Sequence, residues 1–330
     1  MKASYLDGRK IIVDDKVYLY LFGTSYLGLP YDEDFQKLIQ EGIDKYGSSL
    51  GSSPTTVPQL SIYGELEAYL ANQYGFEDAL LFPSGYSAGQ TVVQLYASQN
   101  YKIQYGNVAH PALKLEAKIE SKDVHKKTNR STLFATDFID PITFEQYDIN
   151  FIDSEGDKTL IDISHGLGLF DDDLKSMSSS SNVILCGSLN KALGINAGIL
   201  LCDTALKLQV IASARYKTAS APSPSECYAL YKAIASGVVE KRQSRLETLL
   251  IKLNGAKGLR SVVGFPAVKI ENDGDRIFNY LKQNEVLTWR NKYPTADSPM
   301  VNRAVFTAAH KAEDVDQFLE LIDKFGNENI

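Results

Sequence analysis

Hydrophobic and polar positions follow two periods along this chain, and the two alternate. KIIVDDKVYLYLFG, from Lys10 to Gly23, reads as two short strands around an Asp-Asp turn. DEDFQKLIQEGIDKYG has helical spacing, with Phe35, Leu38, Ile39 and Ile43 on one face. GSSLGSSPTTVPQ is a loop by composition. SIYGELEAYLANQYG predicts an amphipathic helix with Ser61 as its cap and Gly75 as its stop. DALLFPSG predicts a strand and a glycine turn, and YSAGQTVVQLYAS a helix.

From there the runs TLFAT, INFID, TLIDIS, VILCGS and AGILLCD read as strands, and SMSSSSN as a loop tip. Several are continuously apolar, as in a sheet covered on both faces. The pattern predicts an α/β domain with a mostly parallel sheet. Pro224 to Leu253 reads as one long connecting helical stretch. Short strands (AVKIE, AVFTAA) then alternate with helices (GDRIFNYLKQN, AEDVDQFLELIDKF). This end predicts a smaller C-terminal α+β domain joined by the N-terminal strands. The expected division is 1–45 for N-terminal strands and a helix near the small domain, 46–235 for the large domain, and 236–330 for the small domain.

Composition narrows the field. The 330 residues allow one large domain or two ordinary ones. A net charge of -7 without a basic block argues against nucleic acid as the main partner. The polar N-terminus has no secretory h-region, and no apolar run reaches the roughly 18 residues of a membrane span. Cys186, Cys202 and Cys227 lack metal-site spacing and read as reduced thiols, which points to the cytoplasm; no metal is expected.

Five places could carry chemistry. Lys191, in SLNKALGINAG, follows a strand among small residues. A desolvated lysine is a nucleophilic amine able to form a Schiff base; a surface lysine that snorkels is the other reading. Asp162 and His165, in LIDISHGLG, lie where α/β sheets place ligands, or are simply turn and loop residues. Ser84, Gly85 and Tyr86 open a helix whose N–H groups suit phosphate, although SG turns are common. His110 could stack on a flat ring or cap a helix. Arg303 could fork onto a carboxylate or make an ordinary salt bridge. Together these are the parts of a pyridoxal phosphate site.

The order of motifs resembles the α-oxoamine synthases, fold-type I pyridoxal phosphate enzymes, from about Gly8 to Phe325. SYLGLP is similar to the family's NYLGL and YGSSLGSS to its YGxGxxGSR. YGELEAYLANQYGFEDALLFPSGYSAG is similar to HxxLExxLAxFxGxEaAllFxSGYxAN. VAHPAL lies where the family has NHASI. LIDISHGLG resembles vDExHsxG, SLNKALGINAG resembles TxSKAxGxxGG, and TASAPSP resembles STxLPP. NRAVFTAAHKAEDVDQF is similar to RIxxxAxHTxeDid.

The resemblance implies a fold-type I transferase with pyridoxal 5′-phosphate. Lys191 would hold the cofactor covalently, Asp162 would pair with its ring nitrogen and His165 would lie near its phenolic oxygen. His110 would stack on the ring. Ser84, Gly85, Tyr86 and Ser188 would surround the phosphate, and Ser220 would reach the phosphate of a neighbouring subunit in a homodimer with shared sites. Arg303 and Ser25 would face the substrate, with His110 and His165 at the chemistry alongside Lys191.

The implied reaction is decarboxylative condensation of a small amino acid with an acyl-CoA or acyl-carrier thioester. Transamination on the same cofactor, or a non-catalytic binding or scaffold protein, are the alternatives. The chain departs from the family at Ser25, Ser53, Tyr63, Gly89 and Asn190. It has no recognisable SMDGD loop and is shorter, chiefly at the N-terminus.

Overall fold

The computed structural model describes residues 2–115, 130–271, 274–293 and 295–328. In chain order its elements begin with β1 (Ala3–Leu6), β2 (Lys10–Val13), β3 (Lys16–Leu21), α1 (Glu33–Tyr46), α2 (Ser61–Tyr74), β4 (Asp78–Phe82), α3 (Gly85–Ser98) and β5 (Lys102–Tyr105). There follow β6 (Thr132–Asp137), β7 (Lys158–Asp162), α4 (Asp171–Ser176), β8 (Val183–Ser188), β9 (Gly198–Cys202), α5 (Thr204–Ala212) and α6 (Ala214–Lys217). The C-terminal part holds α7 (Pro224–Ala235), α8 (Val238–Leu250), β10 (Leu259–Ser261), β11 (Ala267–Ile270), α9 (Gly274–Gln283), β12 (Val286–Lys292), β13 (Met300–Val305) and α10 (Ala312–Glu328).

Strands β4 to β9 form one six-stranded sheet in the order β4-β9-β8-β7-β6-β5. Neighbours from β5 to β8 run parallel, and β9 is antiparallel to both β8 and β4. β9 is therefore the one reversed strand of this sheet. The continuous apolar runs have the cause expected of them. Successive residues point to opposite faces, and both faces are covered. Ile161, Leu185 and Leu201 join the core on one face. Leu160, Ile184, Cys186, Leu200 and Cys202 join the core under α3 and α5 on the other. The α/β expectation is met, and Cys186, Cys202 and Cys227 are all buried free thiols.

A second, seven-stranded sheet has the order β1-β2-β3-β12-β13-β11-β10. The N-terminal hairpin turns at Asp14 and Asp15, both with positive φ. It joins the C-terminal strands through a parallel pairing of β3 with β12, Leu19 opposite Val286. Helix α1 packs on α7 so closely that a Cβ on Gly42 would lie 2.6 Å from the Ser225 carbonyl oxygen.

Four local expectations are corrected. INFID is not a strand: Asp148 accepts from the Asn150 N–H at 3.0 Å and starts a 3-10 turn over Ile149–Phe151. β6 and β7 already pair directly, so no strand fits between them. Ser61 is the first helical residue of α2 rather than its cap, which falls on Leu60 with no side-chain bond. The stretch from Pro224 to Leu253 is two helices, because Gly237 takes a left-handed conformation (φ 77°) that a helix cannot continue through. SMSSSSN is a 3-10 turn (Met177–Ser179) at the end of α4 rather than a plain loop tip. No described helix is long and apolar enough to cross a membrane.

Candidate active site

In open α/β sheets, ligands bind beyond the carboxyl ends of parallel strands. A cleft of about 290 Å³ lies at that edge here, and Lys191, Asp162, His165 and His110 all line it. Four residues singled out from separate motifs thus meet in one place.

Each is delivered by backbone geometry. Asp162 is the last residue of β7, and its Oδ1 accepts the Ser164 N–H at 2.9 Å. His165 follows in the same turn, its Nδ1 2.7 Å from the Tyr26 hydroxyl. Lys191 sits in the short connection from β8 to β9. That connection is pinned by bonds from the Leu189 N–H to the Ala197 carbonyl (2.9 Å) and from the Ile195 N–H to the Leu189 carbonyl (3.2 Å). His110 follows β5, and its backbone N–H donates to Asp137 at 3.0 Å.

Burial sets the electrostatics. Desolvation lowers the Lys191 pKa, and Arg303 adds to this, although Asp162 and Asp137 pull the other way. A lysine so placed is a better nucleophile and base than a surface lysine. Burial, aided by Lys191 and Arg303, holds His165 well below the ordinary histidine value. His110 is also lowered, again by burial.

Of the two readings of His110, the cap is the one seen. Its Nδ1 accepts from the Ala112 N–H at 3.1 Å, capping a 3-10 turn, while its ring lines the cleft. Arg303 is buried and makes no salt bridge among the described residues. Its guanidinium donates to the Pro141 carbonyl at 2.7 Å and lies 4.5 Å from the Trp289 ring. Its Nε is buried without a partner.

The SG turn and Ser188 meet at the same sheet edge but do not line the cleft itself. Ser84 caps α3 and is engaged with Ser87 in a capping box, so Gly85 and Tyr86 are the first helical residues. A Cβ on Gly85 would lie 2.6 Å from the Ser188 nitrogen, and one on Gly198 would run into the Ser84 carbonyl. Glycine is the residue that allows these three segments to close on one another. The Ser188 N–H donates to Ser164 at 2.8 Å. Ser25 lies outside the cleft lining with a buried, unpartnered hydroxyl. Ser220 is exposed and is not brought to the cleft within one chain.

Asp137 and Tyr293 line the cleft and were not anticipated. Asp137 had a signal, since TLFATD ends an apolar run in a carboxylate as TLIDI nearly does. Tyr293, in the polar NKYPTAD, had none.

No family model matches the chain. It is similar to the 8-amino-7-oxononanoate synthase of Aliivibrio fischeri (strain MJ11), 24% identical over 349 residues, covering 96% of this chain and 91% of the relative. The same enzyme of Erwinia tasmaniensis is 25% identical over 355 residues, covering 96% and 91%. Among solved structures, a serine palmitoyltransferase from S. paucimobilis superposes with a TM-score of 0.81 at 15% identity, covering 97% of this chain and 90% of that one. The 8-amino-7-oxononanoate synthase of Francisella tularensis gives 0.72 at 18%, covering 95% and 99%.

The fold is that of solved fold-type I enzymes, among them structures with pyridoxal phosphate bound. Within that class the chain's relatives in sequence are 8-amino-7-oxononanoate synthases, and its neighbours in structure include serine palmitoyltransferase. The residues present fit the cofactor of this class. They offer an amine of lowered pKa, a strand-end carboxylate, an imidazole, a glycine-tight helix N-terminus and a buried guanidinium with one unsatisfied N–H.

Proposed function

We propose that the protein condenses a small amino acid with an acyl thioester, with loss of the amino acid's carboxylate, to give an α-amino ketone. The observation that carries this is the convergence of Lys191, Asp162, His110 and His165 on one cleft. Pyridoxal phosphate, when bound, supplies an electron sink for the carbanion at the amino acid's α-carbon.

The chain's residues supply the rest. The Lys191 amine holds the cofactor and then takes the substrate's α-proton as general base, which its lowered pKa favours. Asp162 keeps the ring nitrogen protonated. His110 presents its ring face, and His165, neutral and held by Tyr26, offers a hydrogen bond near the reacting atoms. Gly85, Tyr86, Ser84 and Ser188 surround the phosphate at the start of α3. Arg303, whose Nε lacks a partner, takes the substrate carboxylate, and Ser25 lies on the substrate side.

The thioester is acyl-CoA or acyl-carrier bound. The working unit is a homodimer in which Ser220 reaches the partner's phosphate site. Residues 46–235 form the cofactor domain and 236–330 the small domain, with 1–45 beside it, and the enzyme works in the cytoplasm.

The test begins with cofactor added to purified protein. A visible band of protein-bound cofactor should form and shift with glycine, alanine or serine. Thioester should then release free thiol and CO2. Lys191→Ala should lose the band and at least about a thousandfold of the rate. A wild type without the band sinks the reading, as does a Lys191→Ala variant at full rate. A keto acid product in place of thiol and CO2 would point to transamination.

A further inference from the structure

The protons around His110 are fixed by its neighbours. The Ala112 N–H donates to Nδ1 at 3.1 Å, so Nδ1 carries no hydrogen. The hydrogen-bond network therefore assigns the ring proton to Nε2. Nε2 lies 2.7 Å from the Tyr293 hydroxyl, and it must be the donor there. The phenol oxygen accepts, so its own hydrogen points elsewhere. Among the described residues no acceptor takes it.

Tyr293 lines the same cleft as Lys191, Asp162 and His165. Its ring lies nearly parallel to that of His110, at 25° with centroids 6.3 Å apart. Burial and the carboxylates of Asp137 and Asp162 keep the phenol protonated. A ligand that covers this donor must accept its hydrogen bond or bind more weakly.

We infer that the Tyr293 hydroxyl donates a hydrogen bond to an oxygen of the bound substrate, either the amino acid's carboxylate or the thioester's carbonyl. This rests on the reaction proposed above. It makes Tyr293, which directly follows β12 of the seven-stranded sheet, a substrate-binding residue in the cleft that Asp162 and Lys191 also line.

The test is Tyr293→Phe, which keeps the ring and removes the hydroxyl, studied in the cofactor-loaded enzyme. Cofactor dissociation constant and visible band should stay within about twofold of wild type. Affinity for amino acid, read by spectral titration, or for thioester, read as KM, should fall about tenfold or more. A loss on the amino acid identifies the carboxylate, and a loss on the thioester identifies the carbonyl. Unchanged affinity for both overturns the inference. So does a tenfold weaker hold on cofactor, which would make Tyr293 a positioning residue for His110.

If the Phe variant fails to fold, 3-fluorotyrosine at position 293 keeps the shape with a more acidic phenol. Affinity for one substrate should then rise, and no change would overturn the inference. A wild type that never forms the cofactor band fails at the parent reading, which separates that failure from this one.

Discussion

Asp137 and Asp162 are register partners at the ends of adjacent parallel strands, so two carboxylates stand side by side at the rim of one cleft. Their environments differ in what they receive. Asp162 accepts the N–H of Ser164, two residues on, whereas Asp137 holds the backbone of His110, which belongs to another segment. Burial, then the neighbouring charge of Asp162, pushes the Asp137 carboxyl up to about 7.

A carboxyl raised in the fold binds its proton more tightly there than in the unfolded chain. Its stabilising contribution is complete below its ordinary value of 3.8 and disappears as pH rises toward about 7. Asp137→Asn should therefore gain stability relative to wild type as pH is raised from 4 to 7. Thermal midpoints of cofactor-free protein across that window check this. A constant difference between the two proteins would contradict it.

Gly198 lies against the turn that opens α3. Gly198→Ala would push its Cβ into the Ser84 carbonyl, and backbone cannot swing away as a flexible side chain can. The expected cost is about 1–3 kcal/mol of overpacking, read in urea unfolding. The displaced helix N-terminus should also weaken cofactor binding, which titration of the visible band would detect.

Trp289 and Arg303 face each other across β12 and β13, and Trp289 is the chain's single tryptophan. Its fluorescence therefore reports on the guanidinium directly. Small carboxylates should change that emission in wild type. Arg303→Lys keeps the charge but loses the fork, so it should bind those carboxylates about tenfold more weakly with cofactor affinity retained. Equal binding by the two proteins would remove Arg303 from the substrate.

Arg9 grips Asp314 with two bonds, Nε to Oδ2 at 2.6 Å and Nη2 to Oδ1 at 2.7 Å. Asp314 also accepts the Lys311 N–H at 2.8 Å. Burial would raise the Asp314 carboxyl, but the Arg9 bonds prevail and hold it low. A lowered carboxyl stabilises the fold above its ordinary value and loses that contribution as pH falls below it. Asp314→Asn should cost about 1.5–3 kcal/mol at neutral pH. The deficit should shrink in acid, and the N-terminal hairpin should become the first site of protease attack.

Much of this architecture was legible because burial on two faces writes long apolar runs. β7, β8 and β9 are such runs, and the polar residues at or between their ends, Asp162 and Lys191, mark the cleft. INFID was misread because an apolar pentapeptide carries no sign that Asp148 will turn it or that β6 and β7 leave no gap. The break at Gly237 needed a left-handed residue where helical spacing merely continues. Tyr293 was invisible because its importance comes from His110, which is far away in sequence and meets it only across the cleft. Arg303, by contrast, could be noticed as a lone charge within an apolar strand.

The parallel pairing of Leu19 with Val286 also orders events in time. The outer edge of β3 has no strand to bond until the ribosome has made β12, so the first hairpin waits through most of synthesis. The six-stranded sheet, with its lysine and its carboxylates, is complete by Cys202. Tyr293 and Arg303 arrive last, with the closing of the other sheet. A nascent chain thus has the parts proposed to hold cofactor before the parts proposed to recognise substrate, and its long-range pairings make the final step the slow one.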